Sequence, residues 1–414
     1  GENSLGIYKN SGTLKRDPSA SLVFAGTNNM QSTGFYLDNA VLDFTSGALN
    51  ANTLSMNSGI AFLLKGNTSD VRVNGTTITK KQIDSIGLAP KVERIVYSEK
   101  NETVAGDITL DPAVRYYGHR AKDGRLEING NIYTSSNITA TYGVAVQNRY
   151  TVLPVTEEVL LNSGYVVDMS NSSGSVGIQS LAGARAVNKG KVIVGNSSSA
   201  SAGIGILAES STINLTSVVN DSGAVIEMPY AGIGIYLDSL ELGGSVTNAG
   251  TISSTQANAL GIYAKMSSTG VLGAPITAIT NTGSINLSDN GFGIFTDNST
   301  ITNSGNITAD NPGTDSIIAI YGGRNSIINN TGGNISVGEG GIAFYGNNTA
   351  MTISGGNFST EGGTLIYAEN NTNITYTANG TTLGNKIGIY LDQSKIDLGG
   401  KNFSVMDSGS AIYL

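Results

Sequence analysis

Apolar and polar positions alternate in short bursts along this chain, and the bursts recur. From about residue 200 onward one phrase returns as Gly234-Ile235-Tyr236, Gly261-Ile262-Tyr263, Gly293-Ile294-Phe295, Ala319-Ile320-Tyr321, Ala343-Phe344-Tyr345, Leu365-Ile366-Tyr367, Gly388-Ile389-Tyr390 and Ala411-Ile412-Tyr413. Successive copies lie roughly 22 to 32 residues apart, the spacing of stacked-repeat proteins. A second phrase sits between these anchors: Val246-Thr247-Asn248-Ala249-Gly250-Thr251-Ile252, Ile279-Thr280-Asn281-Thr282-Gly283-Ser284-Ile285 and Ile301-Thr302-Asn303-Ser304-Gly305-Asn306-Ile307. It reads as strand, Asn-x-Gly turn, strand.

The alternation has period two. In Ile233-Gly234-Ile235-Tyr236-Leu237-Asp238 it places Ile233, Ile235 and Leu237 on one face and Gly234, Tyr236 and Asp238 on the other. Short half-buried strands, with no helical stretch between them, bury their apolar face by coiling into a parallel stack in which each rung covers the next. The expected fold is therefore all-β: a right-handed parallel β-helix with three short strands per coil. Coils about 4.8 Å apart predict a rod of about 60–70 Å. Extra residues leave at corners, because a one-residue slip within a strand turns its apolar side chains outward. Corners such as Asn329-Asn330 and Asn370-Asn371 suit left-handed or hydrogen-bonded turns and stacked amides.

The anchor phrase also occurs at Gly6-Ile7-Tyr8, Gly34-Phe35-Tyr36 and Gly59-Ile60-Ala61, and then lapses. The pattern divides the chain into coils over 1–64, an irregular charged insertion or elaborated coils over 65–155, and an open-ended run of coils over 156–414. The middle segment holds Lys80-Lys81, Lys91-Val92-Glu93-Arg94, Arg115, Arg120, Lys122 and Arg125. Its Thr79-Lys80-Lys81-Gln82 start and its Gly87 predict one short helix over 79–87.

Composition sharpens this picture. Only 13% of the residues are charged and 55 are glycine, so a conventional mixed core is not expected, yet 39% hydrophobic content is too much for a disordered chain. A net charge of −8 argues against nucleic acid, for want of a basic face to neutralise phosphates. With no cysteine there is neither disulfide nor thiolate metal site. No apolar run reaches 18 residues and the first residues lack a signal-peptide pattern, so a leader and an anchor are expected to lie outside this sequence.

The repeated Gly-Ile-Tyr-Leu-Asp and Asn-x-Gly-x-Ile phrases resemble the passenger domains of type V secretion autotransporters, most closely the large Gly/Asn-rich fusobacterial adhesins. The resemblance covers most of the chain outside 65–155. It implies export to the bacterial cell surface, anchoring through an outer-membrane barrel absent from this chain, and attachment to a host receptor or glycan or to another bacterium. A monomer is implied, and absence of cysteine fits threading through the barrel. The matched phrases build coils, so no family binding residue carries over.

His119 is the sole histidine, and Asp407-Ser408-Gly409-Ser410 falls inside an ordinary repeat turn, so a serine nucleophile with its base is not expected. The clustered carboxylates of polysaccharide-cleaving β-helices and the calcium-binding nonapeptide are missing. No catalytic residue, metal or cofactor is expected; a passive stalk and a polysaccharide-degrading enzyme are the rival readings. Two binding candidates remain. The first gathers Arg115, Tyr116, Tyr117, His119, Arg120 and Arg125, residue types enriched at interaction hot spots and placed where the repeat breaks. The second is a stripe of Tyr236, Tyr263, Phe295, Tyr321, Tyr345, Tyr367 and Tyr390, expected to stack outward with Gly234, Gly261, Gly293, Ala319, Ala343 and Gly388 beside it.

Overall fold

A computed structural model describes residues 5–17, 22–24, 33–45, 54–56, 59–66, 68–77, 92–99, 102–110, 117–122, 125–134, 144–149, 158–172, 174–196, 200–210, 215–239, 243–266, 277–288, 290–309, 317–360, 362–379, 382–383, 387–400, 404–405 and 410–414. Among them there is no helix, and the strands gather into an 18-stranded and a 20-stranded sheet with two minor pairs. Except for one hairpin, strand pairing is parallel, as the stacked-repeat reading requires. The molecule is a parallel β-helix.

One coil illustrates the rest. The strand Leu260–Met266 carries the anchor phrase and lies in the first sheet; Thr277–Asn281 and Ser284–Leu287 follow in the second, on either side of an Asn-x-Gly corner. The next coil repeats this with Phe292–Asp297, Ser299–Asn303 and Asn306–Ala309, each strand in register with its predecessor. The first sheet takes one strand from each coil, from Leu5–Arg16 to Ser410–Tyr413, plus the hairpin Asp70–Val73 and Thr76–Thr77. That hairpin turns on Asn74-Gly75, both at positive φ (51° and 75°), the conformation an Asn-Gly hairpin turn requires. In Ile327–Val337 and Ala350–Thr360 the two strands of the second sheet merge into one, with a register shift around Thr331.

Within 65–155 the strands Val92–Glu99, Tyr117–Lys122 and Val144–Arg149 occupy successive rungs of the first sheet. Glu102–Ala105 and Leu126–Asn129 pair in the second, as do Ile108–Leu110 and Ile132–Thr134. The helix expected over 79–87 lies outside the described residues.

The core is a file of aliphatic side chains running along the axis. Ile235, Ile262, Ile294 and Ile320 from the first sheet meet Ile252, Ile285, Ile307 and Ile335 from the second, all at 0–1% exposure. A second cluster around Phe35, Leu42, Phe44 and Phe62 fills the N-terminal coils.

One expectation about the anchor strand is overturned. Period two puts Gly234, Gly261 and Gly293 on the outer face, yet a Cβ on Gly261 would come within 2.6 Å of Ile285 Cγ2 and 2.5 Å of the Gly293 carbonyl. The small residue points inward, as do Ala319 and Ala343 at 0% exposure. Ladder pairing skips this residue in each rung: Leu260 opposes Phe292 and Ile262 opposes Ile294, with Gly261 unpaired. Two consecutive residues therefore face the core, the alternation is reset as at a β-bulge, and Ile233, Leu260, Phe292, Ile318 and Ile342 turn half-buried to the outer side.

Candidate binding surfaces

Corners are held by polar ladders. Asn188, Asn220, Asn248, Asn281, Asn303 and Asn330, each fully buried, form one file in which every side-chain Nδ2 donates to the next Oδ1 at 2.7–2.8 Å. Asn330 ends the file on the Gly355 carbonyl at 2.6 Å. A buried amide has few alternatives, and a repeat in register supplies the same amide one rung away. Of the corners expected to stack amides, Asn330 joins this file. At the corner after the anchor strand Asn370 donates from Nδ2 to Asn347 Oδ1 one coil away at 3.2 Å, and Asn371 takes a positive φ of 65°. There Asn298, Asn325, Asn348, Asn371 and Gln393 are all left-handed, and each is followed by Ser299, Ser326, Thr349, Thr372 or Ser394. Three of these hydroxyls accept from the backbone of the neighbouring coil: Ser299 N donates to Ser326 Oγ at 3.3 Å, and Thr349 N to Thr372 Oγ1 and Thr372 N to Ser394 Oγ, both at 3.2 Å. The signal was in the sequence as a recurring Asn/Gln-Ser/Thr pair that the strand pattern does not call for.

The aromatic stripe forms as a continuous stack. Ring centres are 5.2 Å apart for Tyr236 and Tyr263, 5.4 Å for Tyr263 and Phe295, and 4.4 Å for Phe295 and Tyr321. The file continues at 5.0 Å to Tyr345, 4.9 Å to Tyr367, 4.5 Å to Tyr390 and 5.4 Å to Tyr413. Phe292 adds an edge-on ring 5.0 Å from Phe295, placed there by the reset alternation. Parallel register sets this geometry: equivalent side chains sit one rung apart, close to the offset stacking distance of benzene rings. Since each ring covers its neighbour, the stripe from Tyr236 to Tyr390 offers edges and hydroxyls outward. Stacking against a sugar needs an open ring face, so this surface suits contact along its edge.

Burial sets the acidity of these phenols. It pushes the Tyr236 hydroxyl up to about 12, helped by the nearby Asp238 carboxylate. Tyr263, Tyr321 and Tyr367 are raised chiefly by burial too. Tyr345 is raised by burial and by donating to Glu369 Oε1 at 2.8 Å. Burial also raises the Asp297 carboxyl, against the opposing pull of Arg324 at 3.9 Å.

The first candidate set is divided between the two sheets. Tyr117, His119 and Arg120 belong to a first-sheet strand, where His119 opposes Val146 and Arg120 opposes Gln147. Arg125 immediately precedes Leu126–Asn129 of the second sheet. Arg115 and Tyr116 lie outside the described residues. The Arg125 Nε reaches Glu158 Oε1 at 3.0 Å and Glu127 Oε2 at 4.0 Å, and Arg185 Nη1 reaches the other oxygen of Glu158 at 3.5 Å. Hydrogen bonds from Asn129 and Asn162 keep the Glu127 carboxyl below its usual range, with Arg125 assisting. Register makes the cluster: Leu126, Val159 and Ala186 are stacked neighbours, so the residues beside them meet. Glu158 and Arg185, about one coil apart, were missed because their charge complementarity appears only once coil length is known. Lys191 and Glu227 extend the charged patch at 2.6 Å.

No family model, curated protein or solved structure matches this chain. Among the described residues no group of three His, Cys, Asp or Glu side chains is arranged to hold a metal ion, and no helix is long and apolar enough to cross a membrane.

Proposed function

We propose that the chain is a non-catalytic binding segment of a surface-displayed bacterial adhesin, held outside the cell by an outer-membrane barrel encoded elsewhere in a longer protein. Its partner is a host receptor or glycan, or the surface of another bacterium. The observation that carries this reading is the parallel β-helix itself, joined to the Gly-Ile-Tyr and Asn-x-Gly phrases that resemble autotransporter passengers. A rigid solenoid presents long lateral faces, and a departure from the repeat on such a scaffold is where binding residues are expected.

We place the site around Arg115 to Arg125, where the sequence phrases lapse while the described strands keep to the rungs of both sheets, ahead of the stripe. Arg125 is engaged by Glu158, so a carboxylate ligand at this position has to compete with that pair. A glycan-array and host-receptor screen is the test. Arg115→Ala with Arg120→Ala is expected to weaken binding about tenfold or more, the loss of one or two charge-assisted contacts. Normal binding by this variant, with binding lost in a folded Tyr263→Ala, Tyr321→Ala protein, would move the site to the stripe. A passive stalk is the second reading, favoured by the uninterrupted amide and aromatic files; the absence of any partner in the screen would support it.

A further inference from the structure

Tyr321, Tyr345, Tyr367, Tyr390 and Tyr413 occupy the same position on five consecutive rungs. Their planes approach parallel toward the C-terminal end, at 35°, 19°, 10° and 10° for successive pairs. Parallel register points all five side chains the same way, so equivalent hydroxyls follow one another rung by rung. The Tyr345 hydroxyl donates to Glu369. Phe295, stacked between Tyr263 and Tyr321, separates this run from the Tyr236 and Tyr263 pair.

We propose that this run is an oxidative cross-linking site at which neighbouring coils are joined by dityrosine bonds. The oxidant is a one-electron oxidant of the haem peroxidase class with hydrogen peroxide as the final acceptor. Each of two tyrosines gives up an electron and its phenolic proton; at Tyr345 the Glu369 carboxylate is in place to take that proton. The two phenoxyl radicals couple through ring carbons ortho to oxygen, and the displaced ring hydrogens move to the oxygens as the rings regain aromaticity. Two electrons and two protons leave per bond and reduce one peroxide to two waters. Two directly bonded rings have their centres close to one rung apart, so coupling needs the rings to turn about their own axes while the coils stay in place. Holding the partners at this separation makes the step intramolecular, favoured over coupling between molecules. The bond forms irrespective of what the protein binds. It supplies a covalent brace between coils in a chain that has no cysteine.

The test is treatment of the purified protein with haem peroxidase and hydrogen peroxide, followed by dityrosine fluorescence, denaturing gel electrophoresis and peptide mapping after glutamate and lysine cleavage. Cuts after Glu361, Glu369, Lys386 and Lys395 place Tyr345, Tyr367, Tyr390 and Tyr413 on separate peptides. Fluorescence is expected in the monomer band, with peptides linking Tyr345 to Tyr367 and Tyr367 to Tyr390, and none linking Tyr263 to Tyr321. Tyr345→Phe, Tyr367→Phe, Tyr390→Phe keeps the stack and is expected to lose these peptides. Should the triple variant unfold, Tyr367→Phe alone decides, since both links pass through that residue. Cross-links only between molecules, cross-linked peptides only from tyrosines outside the run Tyr321 to Tyr413, or an undiminished product in the folded variant would overturn the proposal.

Discussion

Asn281 accepts from Asn248 and donates to Asn303, with both bonds at 2.7 Å and no solvent access. Replacing it with alanine leaves a donor on one side and an acceptor on the other, both buried and unpartnered. Asn281→Ala is therefore expected to cost about 1–3 kcal/mol, whereas Asn306→Ala, which gives up one exposed bond from the Asn334 backbone amide and leaves no buried group unpartnered, is expected to cost about 1 kcal/mol or less. Denaturant unfolding of the two variants checks the contrast. The stripe makes a prediction in pH. The hydroxyls of Tyr236, Tyr263, Tyr321, Tyr345 and Tyr367 are raised above the ordinary value of about 10 in the folded chain, that of Tyr236 to about 12. Below pH about 10 the phenols are neutral whether folded or unfolded, and the ladder's stability is complete; as pH rises from about 10 through 12 the unfolded chain ionises first, and stability is lost. Tyrosinate absorbance is expected to appear together with loss of the β-sheet circular dichroism signal. Full titration near pH 10 with the sheet signal intact would show that the rings are solvated.

At the scale of the strand, the anchor phrase has a narrower tolerance than alternation suggests. Gly261 lies against Ile285 and the Gly293 carbonyl, so Gly261→Val is expected to overpack the core and cost about 1–3 kcal/mol or more. Ala319→Gly opens only a methyl-sized gap and is expected to cost about 1 kcal/mol. Thermal unfolding distinguishes the pair; a well-tolerated valine would mean that the small residue faces outward after all. The Tyr, Ile and Asn of the two phrases were legible because each recurs with the coil. The inward turn of the glycine was not, since one residue skipped in the ladder leaves a sequence that still alternates on both sides of the skip.

At the scale of the molecule, one strand per coil from Leu5–Arg16 to Ser410–Tyr413 gives a stack about 70 Å long at about 4.8 Å per rung. Small-angle scattering is expected to report an elongated particle of that length; a near-spherical particle of 42.6 kDa would contradict it. Charge is unevenly spread along this length. Arg125, Glu158, Arg185, Lys191 and Glu227 pair on the second sheet in the middle coils, while in later coils the position of Glu158 and Arg185 is held by the uncharged Ser217, Ser245, Ala278, Thr300, Ile327 and Ala350. The exposed ion pairs contribute little stability individually, about 0–1 kcal/mol each.

Local pattern determined what is periodic: strands, their turns, the parallel stack and the run of aromatic rings all follow from side chains that repeat with the coil. Tertiary structure alone decided what depends on one coil meeting the next. It turned Gly261 inward, carried Phe292 out beside Phe295, drew Asn188 through Asn330 into one hydrogen-bonded file and brought Glu158 between Arg125 and Arg185. The physical reason is register. A contact between residues about one coil apart depends on the lengths of the corners between them and on any skipped residue, and those quantities are fixed only when neighbouring rungs pair.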